Sequence, residues 1–269
     1  MFSKIQHLGY QVANLDKAQE WFLHIFGGEF VPGRTSPNGG RNGFVHFGQI
    51  EIELIQPADT SFIPDGEMVM HHVGYLVPDI SEAVLHLSKK GFKFVSDTPN
   101  VNILGQKVLY FDSTTTNNCN LHLTELPASP NTAGYGSGLP VIDIVHAGYL
   151  VKDVSEAVAW YEEKFDAVTI GGIGASRRGA RNAYVNFGNV QAELIETDDL
   201  NLLKGETIIL DHIGLVVDDI QKEIGTCQTH GVAFVAEQPM TNRIGQQLLY
   251  FNKESSLGTG IHLTQLPLE

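Results

Sequence analysis

Apolar positions along this chain keep two alternating rhythms. Ile5–Val12 is a dense apolar run of strand length; Asn14 follows, and then Ala18, Trp21, Phe22 and Ile25 at helical spacing. Gly27-Gly28 ends that helix near Phe26, Glu29–Val31 makes a short strand, and Phe44–Phe47 and Ile50–Ile55 flank a turn at Gly48-Gln49. The predicted order over residues 5–57 is therefore βαβββ. Residues 70–126 repeat it: strand His72–Val77, a helix capped at Asp79 and closed at Gly91, then strands Phe92–Val95, Val108–Phe111 and Cys119–Thr124. The plan restarts at about 144–197 and again at 210–266.

Each module opens on one motif. His7-Leu8-Gly9-Tyr10-Gln11-Val12-Ala13-Asn14-Leu15 returns as His72-Val73-Gly74-Tyr75-Leu76-Val77-Pro78-Asp79-Ile80, with later copies starting at His146 and His212. The Asn or Asp at its end has the short polar side chain of a helix N-cap. A fourfold repeat nested in a twofold one implies tandem domains, residues 1–127 and 141–269. Residues 128–140, Ala-Ser-Pro-Asn-Thr-Ala-Gly-Tyr-Gly-Ser-Gly-Leu-Pro, have the composition of a linker between them. On this reading each half folds alone.

Strand parity locates the chemistry, because successive side chains face opposite ways. In Asn120-Leu121-His122-Leu123-Thr124 the leucines share one face and His122 takes the other; Glu51 and Glu53 stand opposite Ile52 and Leu54. The helices must cover the apolar face, so the opposite face of the sheet carries imidazoles and carboxylates. His72, Glu53 and His122 recur 140 residues later as His212, Glu193 and His262, and His7 recurs as His146. Of the eleven histidines, these six alone recur between the halves. A lone strand histidine is more often a satisfied polar side chain than a ligand. Three imidazoles and a carboxylate on one inward face, twice over, are costly to bury without a cation.

Those residues carry a resemblance. The H-x-G-x-x-V-x-[DN] openings, the Glu53-Leu54-Ile55-Gln56-Pro57 ending and the His71-His72 pair look like the vicinal oxygen chelate (glyoxalase/bleomycin resistance/dioxygenase) superfamily, in the branch of methylmalonyl-CoA epimerase and glyoxalase I. The resemblance implies an α+β fold, four βαβββ modules forming two cupped sheets around divalent ions. It implies as ligands His7, Glu53, His72 and His122, then His146, Glu193, His212 and His262. His122 and His262 stand where that branch usually has a Glu that also moves protons, and a second catalytic carboxylate is not evident in Phe44-Val45-His46 or Tyr184-Val185-Asn186.

The expected activity is that of a metal-dependent isomerase or lyase working through a metal-chelated enediolate, with His122, His262, Glu53 or Glu193 moving the proton. A non-haem iron dioxygenase is the alternative, and a small-molecule binding or resistance protein the third. Four protein ligands leave an octahedral ion two positions, too few for a chelating substrate plus oxygen. The mixed donors suit Zn²⁺, Ni²⁺, Co²⁺, Mn²⁺ or Fe²⁺, up to two per chain. Arg41 and Arg181 in corresponding loops are candidates for gripping substrate carboxylate or phosphate, and Gln106 and Gln246 for closing over it.

Charge and composition narrow the partners. A formal net charge of −14 disfavours nucleic acid and anionic membrane surfaces. No apolar run approaches the roughly 20 residues of a membrane span. Two cysteines at non-equivalent positions, and an opening Met1-Phe2-Ser3-Lys4 that enters a strand directly, lead to the expectation of a cytoplasmic protein without a secretory signal. The expected partner is a small-molecule substrate. The fused halves would act as a pseudo-dimer within one chain, with further oligomerisation open.

Overall fold

The computed structural model describes residues 1–130, 133–175 and 181–267. The first half runs β1 (Lys4–Val12), α1 (Leu15–Phe26), β2 (Glu29–Thr35), β3 (Arg41–Phe47), β4 (Ile50–Gln56), β5 (Met68–Leu76), α2 (Ile80–Lys89), β6 (Asn100–Val101), β7 (Lys107–Tyr110) and β8 (Leu121–Glu125). The second half repeats it as β9 (Asp143–Val151), α3 (Val154–Phe165), β10 (Val168–Ala175), β11 (Arg181–Phe187), β12 (Val190–Glu196), β13 (Ile208–Val216), α4 (Ile220–Thr229), β14 (Met240–Thr241), β15 (Gln247–Tyr250) and β16 (Gly260–Gln265). The strands form two eight-stranded sheets, ordered β2-β3-β4-β1-β5-β8-β7-β6 and β10-β11-β12-β9-β13-β16-β15-β14. These are the two curled sheets of the expected α+β architecture.

All four helices start as the motif requires. Asn14 accepts from the Lys17 amide, Asp79 from Glu82, Asp153 from Ser155 and Glu156, and Asp219 from Gln221 and Lys222. A second contact secures each first turn. The side chains of Gln56, Glu125, Glu196 and Gln265, each ending or nearly ending the last strand of its module, accept from the amides of Leu15, Ile80, Val154 and Ile220 at 2.8–3.0 Å. Each helix is thereby fixed at two or three of the four amides that would otherwise lack partners.

Two local expectations change. The strand expected at Phe92–Val95 is reduced to a bridge between Phe94 and Phe111, and regular pairing resumes at Asn100–Val101. Pro99 interrupts the run between them and has no amide to donate. The described part of the 128–140 stretch has no regular secondary structure, yet it is not a free tether. Ala133 bridges Gly48, the Tyr135 hydroxyl donates to the Val141 carbonyl, the Leu139 amide donates to Ile25, and Leu139 is fully buried.

The chain gathers into two compact units: Met1–Gln6, His72–Pro130 and His146–Asp211 in one, and His7–His71, Asn131–Val145 and His212–Glu269 in the other. In the first, Phe2 packs edge-on to Tyr75, Phe165 and Phe187, with ring centroids 5.4–5.6 Å apart. Phe92 lies against Phe165, and Tyr75 meets the Tyr149 hydroxyl. In the second, Phe22, Phe26 and Phe47 stack, Trp21 Nε1 donates to the Ser255 carbonyl, and the Met68 amide donates to Leu257. Each unit thus draws its contacts from both halves of the sequence.

Candidate metal centres

The repeated motif explains the first two ligand-type residues of each half. His7 lies on β1 and His72 on β5, with His146 on β9 and His212 on β13; all four are buried. His122 on β8 and His262 on β16 complete the imidazoles and are inaccessible to solvent. Side-chain donors of His146, Glu193, His212 and His262 all lie within 4.8 Å of one another, and so do those of His7, His72 and His122. Nitrogen and carboxylate donors packed this closely fit a divalent cation.

The motif glycine has a role that periodicity alone does not reveal. Gly214 pairs in register with His262, and a Cβ added there would stand 2.7 Å from His262 Cε1 and 2.7 Å from Val145 Cγ1. The residue two after the histidine must therefore lack a side chain for the neighbouring strand's imidazole to lie across it.

Backbone and hydroxyl groups orient the last imidazoles. His122 Nδ1 is 3.1 Å from Thr124 Oγ1 and 3.4 Å from the Leu123 carbonyl; His262 Nδ1 is 3.0 Å from Thr264 Oγ1 and 3.2 Å from the Leu263 carbonyl. A carbonyl only accepts, so it places the ring proton on Nδ1 and turns the Nε2 lone pair to the opposite edge. Tyr110 and Tyr250 pack on these rings with centroids 4.8 and 4.6 Å away. Burial holds the His122 pKa well below its ordinary value, and the charge of His72 lowers it further, which favours the neutral, ligating form.

The carboxylates differ between the halves. Glu193 is buried, accepts from Asn182 Nδ2 at 2.7 Å and Tyr184 Oη at 2.9 Å, and sits 3.5 Å from His146 Nε2. Glu53 is half-buried and accepts from Asn42 Nδ2 at 2.7 Å. Phe44, which pairs with Glu53 in the register that Tyr184 keeps with Glu193, has no hydroxyl to hold it. Instead Glu51 Oε1 lies 3.4 Å from His7 Nδ1. The tightest donor group of the first half is that of His7, His72 and His122.

The arginines and glutamines have local partners. Arg41 Nη2 donates to Asp16 and Gln56, while Arg181 donates through Nε and Nη2 to Glu196 and through Nη1 to Ser155. Gln56 and Glu196 are the side chains that hold the first turns of α1 and α3, so both arginines brace a strand against a helix start. Lys107 makes the same contact with Glu125 in its own module. Gln106 and Gln246 are buried in turns, where their side-chain oxygens accept from Asn102 and Asn242. Asn42, Asn182 and Tyr184 are the site residues that sequence reasoning missed. The Arg-Asn pair repeating 140 residues apart held the signal, and the register shows that the Asn, not the Arg, reaches the carboxylate.

Comparison with known proteins identifies the family and the fold. Residues 6–110 and 145–250 each match the model of the glyoxalase/bleomycin resistance protein/dioxygenase superfamily. The mitochondrial methylmalonyl-CoA epimerase of Mus musculus is 28% identical over 114 residues, 40% of this chain and 64% of that protein. The match thus spans under two thirds of the epimerase's length. An uncharacterized protein of Bacillus subtilis is 24% identical over 129 residues, 46% of this chain and 92% of its own. A mutant 4-hydroxymandelate synthase from Streptomyces coelicolor superposes with a TM-score of 0.74 at 15% identity, covering 98% of this chain and 92% of the synthase. That likeness is one of fold and spans nearly the whole chain.

Proposed function

This chain belongs to the glyoxalase/bleomycin resistance protein/dioxygenase superfamily, and on that premise we propose that it is a metal-dependent isomerase or lyase that moves a proton beside a carbonyl of a small substrate. The observation that carries the reading is the buried set of His146, Glu193, His212 and His262, with donors within 4.8 Å of one another. A divalent ion held there would supply Lewis acidity toward a substrate of the carbonyl–carboxylate or hydroxyketone kind. His122 and His262, fixed at Nδ1, hold their rings still, and Asn182 and Tyr184 hold Glu193.

In the first half Glu53 is half-buried and held through one oxygen by Asn42. We assign its Oε2, the oxygen turned from Asn42 Nδ2, as proton acceptor and donor there. In the second half that task would fall to Glu193. The experiment is solvent exchange. The protein with added Co²⁺ or Zn²⁺, given methylmalonyl-CoA or dihydroxyacetone in D₂O, is expected to wash deuterium into the carbon beside the carbonyl, and Glu53→Gln to reduce the rate. Absence of exchange from a panel of 2-oxo acids, hydroxyketones and acyl-CoA thioesters would overturn the reading.

The dioxygenase is the second reading, favoured by His122 and His262 standing where the epimerase branch carries Glu. It is tested in an oxygen electrode. Uptake of oxygen by the Fe²⁺-loaded protein, stoichiometric with loss of a 2-oxo acid or catechol, would establish it in place of proton transfer.

A further inference from the structure

We propose that the open cleft between the β2–β3 turn and the end of β4 anchors the anionic end of an amphiphilic substrate: a carboxylate or phosphate at Arg34, joined by an apolar chain to the carbon that Glu53 serves. The inference rests on the proton-transfer reading and deepens it by naming the substrate class.

The cleft measures about 530 Å³ and lies within one compact unit. Pro37, Ile55, Pro57 and Ala58 give it apolar walls, Arg34 and Arg41 are its cations, and among the described residues no carboxylate lines it. Ser36 closes the turn, its amide and hydroxyl both donating to the Gly40 carbonyl at 2.7 and 2.9 Å. The Arg34 amide is engaged, but among the described residues its guanidinium has no partner. Arg41 makes its bonds to Asp16 and Gln56 through Nη2 alone. The acids nearby are occupied: Asp16 with Arg41, Glu53 with Asn42, and Asp59 with the Ser61 amide, while Glu29 pairs with His46 at the far end of β2. Two cations against these acids make no strong local field. Direct contact with the guanidinium fork therefore selects the ligand, rather than long-range attraction.

The cleft continues the face that carries Glu53. Ile55 follows Glu53 by two residues on β4, so the two side chains share a face about 7 Å apart. Asn42, the register partner of Ile55, joins the cleft to the carboxylate. Its Oδ1 accepts from the Arg34 amide at 2.8 Å, and its Nδ2 donates to Glu53 Oε1 at 2.7 Å. The pairing of β2 shifts register between Pro32 and Thr35, and a Cβ on Gly33 would stand 2.3 Å from Asn42 Oδ1. A ligand held by Arg34 thus sits on the residue whose amide orients the side chain that holds Glu53. An anion there, an apolar chain past Ile55 and a carbonyl carbon beside Glu53 make one extended substrate.

The test titrates the full-length, isotope-labelled protein with hexanoate, hexyl phosphate, hexanol and acetate, read by nuclear magnetic resonance of the side-chain amides. Hexanoate or hexyl phosphate should bind and move the Asn42 Nδ2 signal, and the tighter of the two identifies the headgroup. Hexanol, without the charge, and acetate, without the chain, should not saturate in the same range. Arg34→Met keeps an apolar stem and should weaken the binding about 10–100-fold, the range of one hydrogen bond to a charged group. Circular dichroism checks that the variant folds, and the comparison of ligands in the unaltered protein needs no variant. Hexanol binding as tightly as both anions, or an Arg34→Met protein with unchanged affinity, would overturn the anchor and leave the proton-transfer reading intact. Arg34-dependent binding by a protein that exchanges no deuterium into any carbonyl substrate would instead overturn that reading, and with it the assignment of this cleft to a substrate.

Discussion

At Gly214 a single methyl group decides whether His262 keeps its place. With a Cβ 2.7 Å from the imidazole, Gly214→Ala forces either the ring or the strand aside. We expect a loss of about 1–3 kcal/mol in stability together with weaker metal binding at the second centre alone, measurable by urea unfolding and Co²⁺ titration. Tyr184→Phe removes the hydroxyl that holds Glu193 without changing packing, so metal affinity should fall at that centre while stability shifts by about 1 kcal/mol. Equal affinities before and after would show that Asn182 suffices. The histidines add a pH dependence to the metal-free protein. Burial lowers the pKa of His46 and His122 below the ordinary 6.5. The unfolded chain therefore binds protons more readily than the folded one, and stability present above pH 6.5 is lost as pH falls below it. Urea midpoints should drop from pH 7 to pH 5.5, and less steeply in His46→Gln. Strand parity and the repeat pick out the six histidines that form the two donor groups. They could not separate Glu53 from Glu193, because that difference depends on which residue faces each carboxylate across the hairpin.

At the scale of the element, the helices were legible in detail because their start signal is local. Asn14, Asp79, Asp153 and Asp219 each satisfy an amide two or three residues on, so sequence proximity alone identifies them. The braces at Gln56, Glu125, Glu196 and Gln265 were not legible, since each joins a strand to a helix start more than 40 residues earlier. Separation along the chain also hid the contacts that Arg41 and Arg181 make with Gln56 and Glu196. Hydrogen bonding to Arg181 lowers the Glu196 pKa, and hydrogen bonding to Lys107 lowers that of Glu125. A depressed carboxylate contributes stability above its unfolded value of 4.5 and loses it as pH falls through the folded value. Acid unfolding should accordingly steepen below pH 4.5, and Arg181→Met should move that limb upward. Gln265→Ala should cost about 1 kcal/mol by leaving the Ile220 amide unpaired. A helix that frays faster in hydrogen exchange at α4, with the other three unchanged, is the signature to look for.

For the whole molecule, the repeat makes the sheets legible: each half supplies eight strands in the same order. It does not disclose which modules share a core, because all four have the same apolar pattern and any two could pair by pattern alone. Particular aromatic residues settle the composition of each compact unit. Phe2, Tyr75 and Phe92 from the first half pack with Tyr149, Trp160, Phe165 and Phe187 from the second, and Trp21 and Met68 bond to Ser255 and Leu257. The expectation that residues 1–130 and 140–269 each fold alone can now be weighed physically. Separating them would expose at least the rings of Phe2, Tyr75, Phe92, Phe165 and Phe187. Each such side chain is worth about 1.5–3 kcal/mol when buried, and their sum rivals the roughly 5–15 kcal/mol that stabilises a whole domain. The separate halves should therefore melt without cooperativity or self-associate, each copy lending the other the missing surface. Mixing the two should restore a one-to-one complex with the near-ultraviolet circular dichroism of the intact chain. Sedimentation of each half as a monomer, with a cooperative thermal transition and its share of that signal, would show instead that the modules of one half are sufficient for a core.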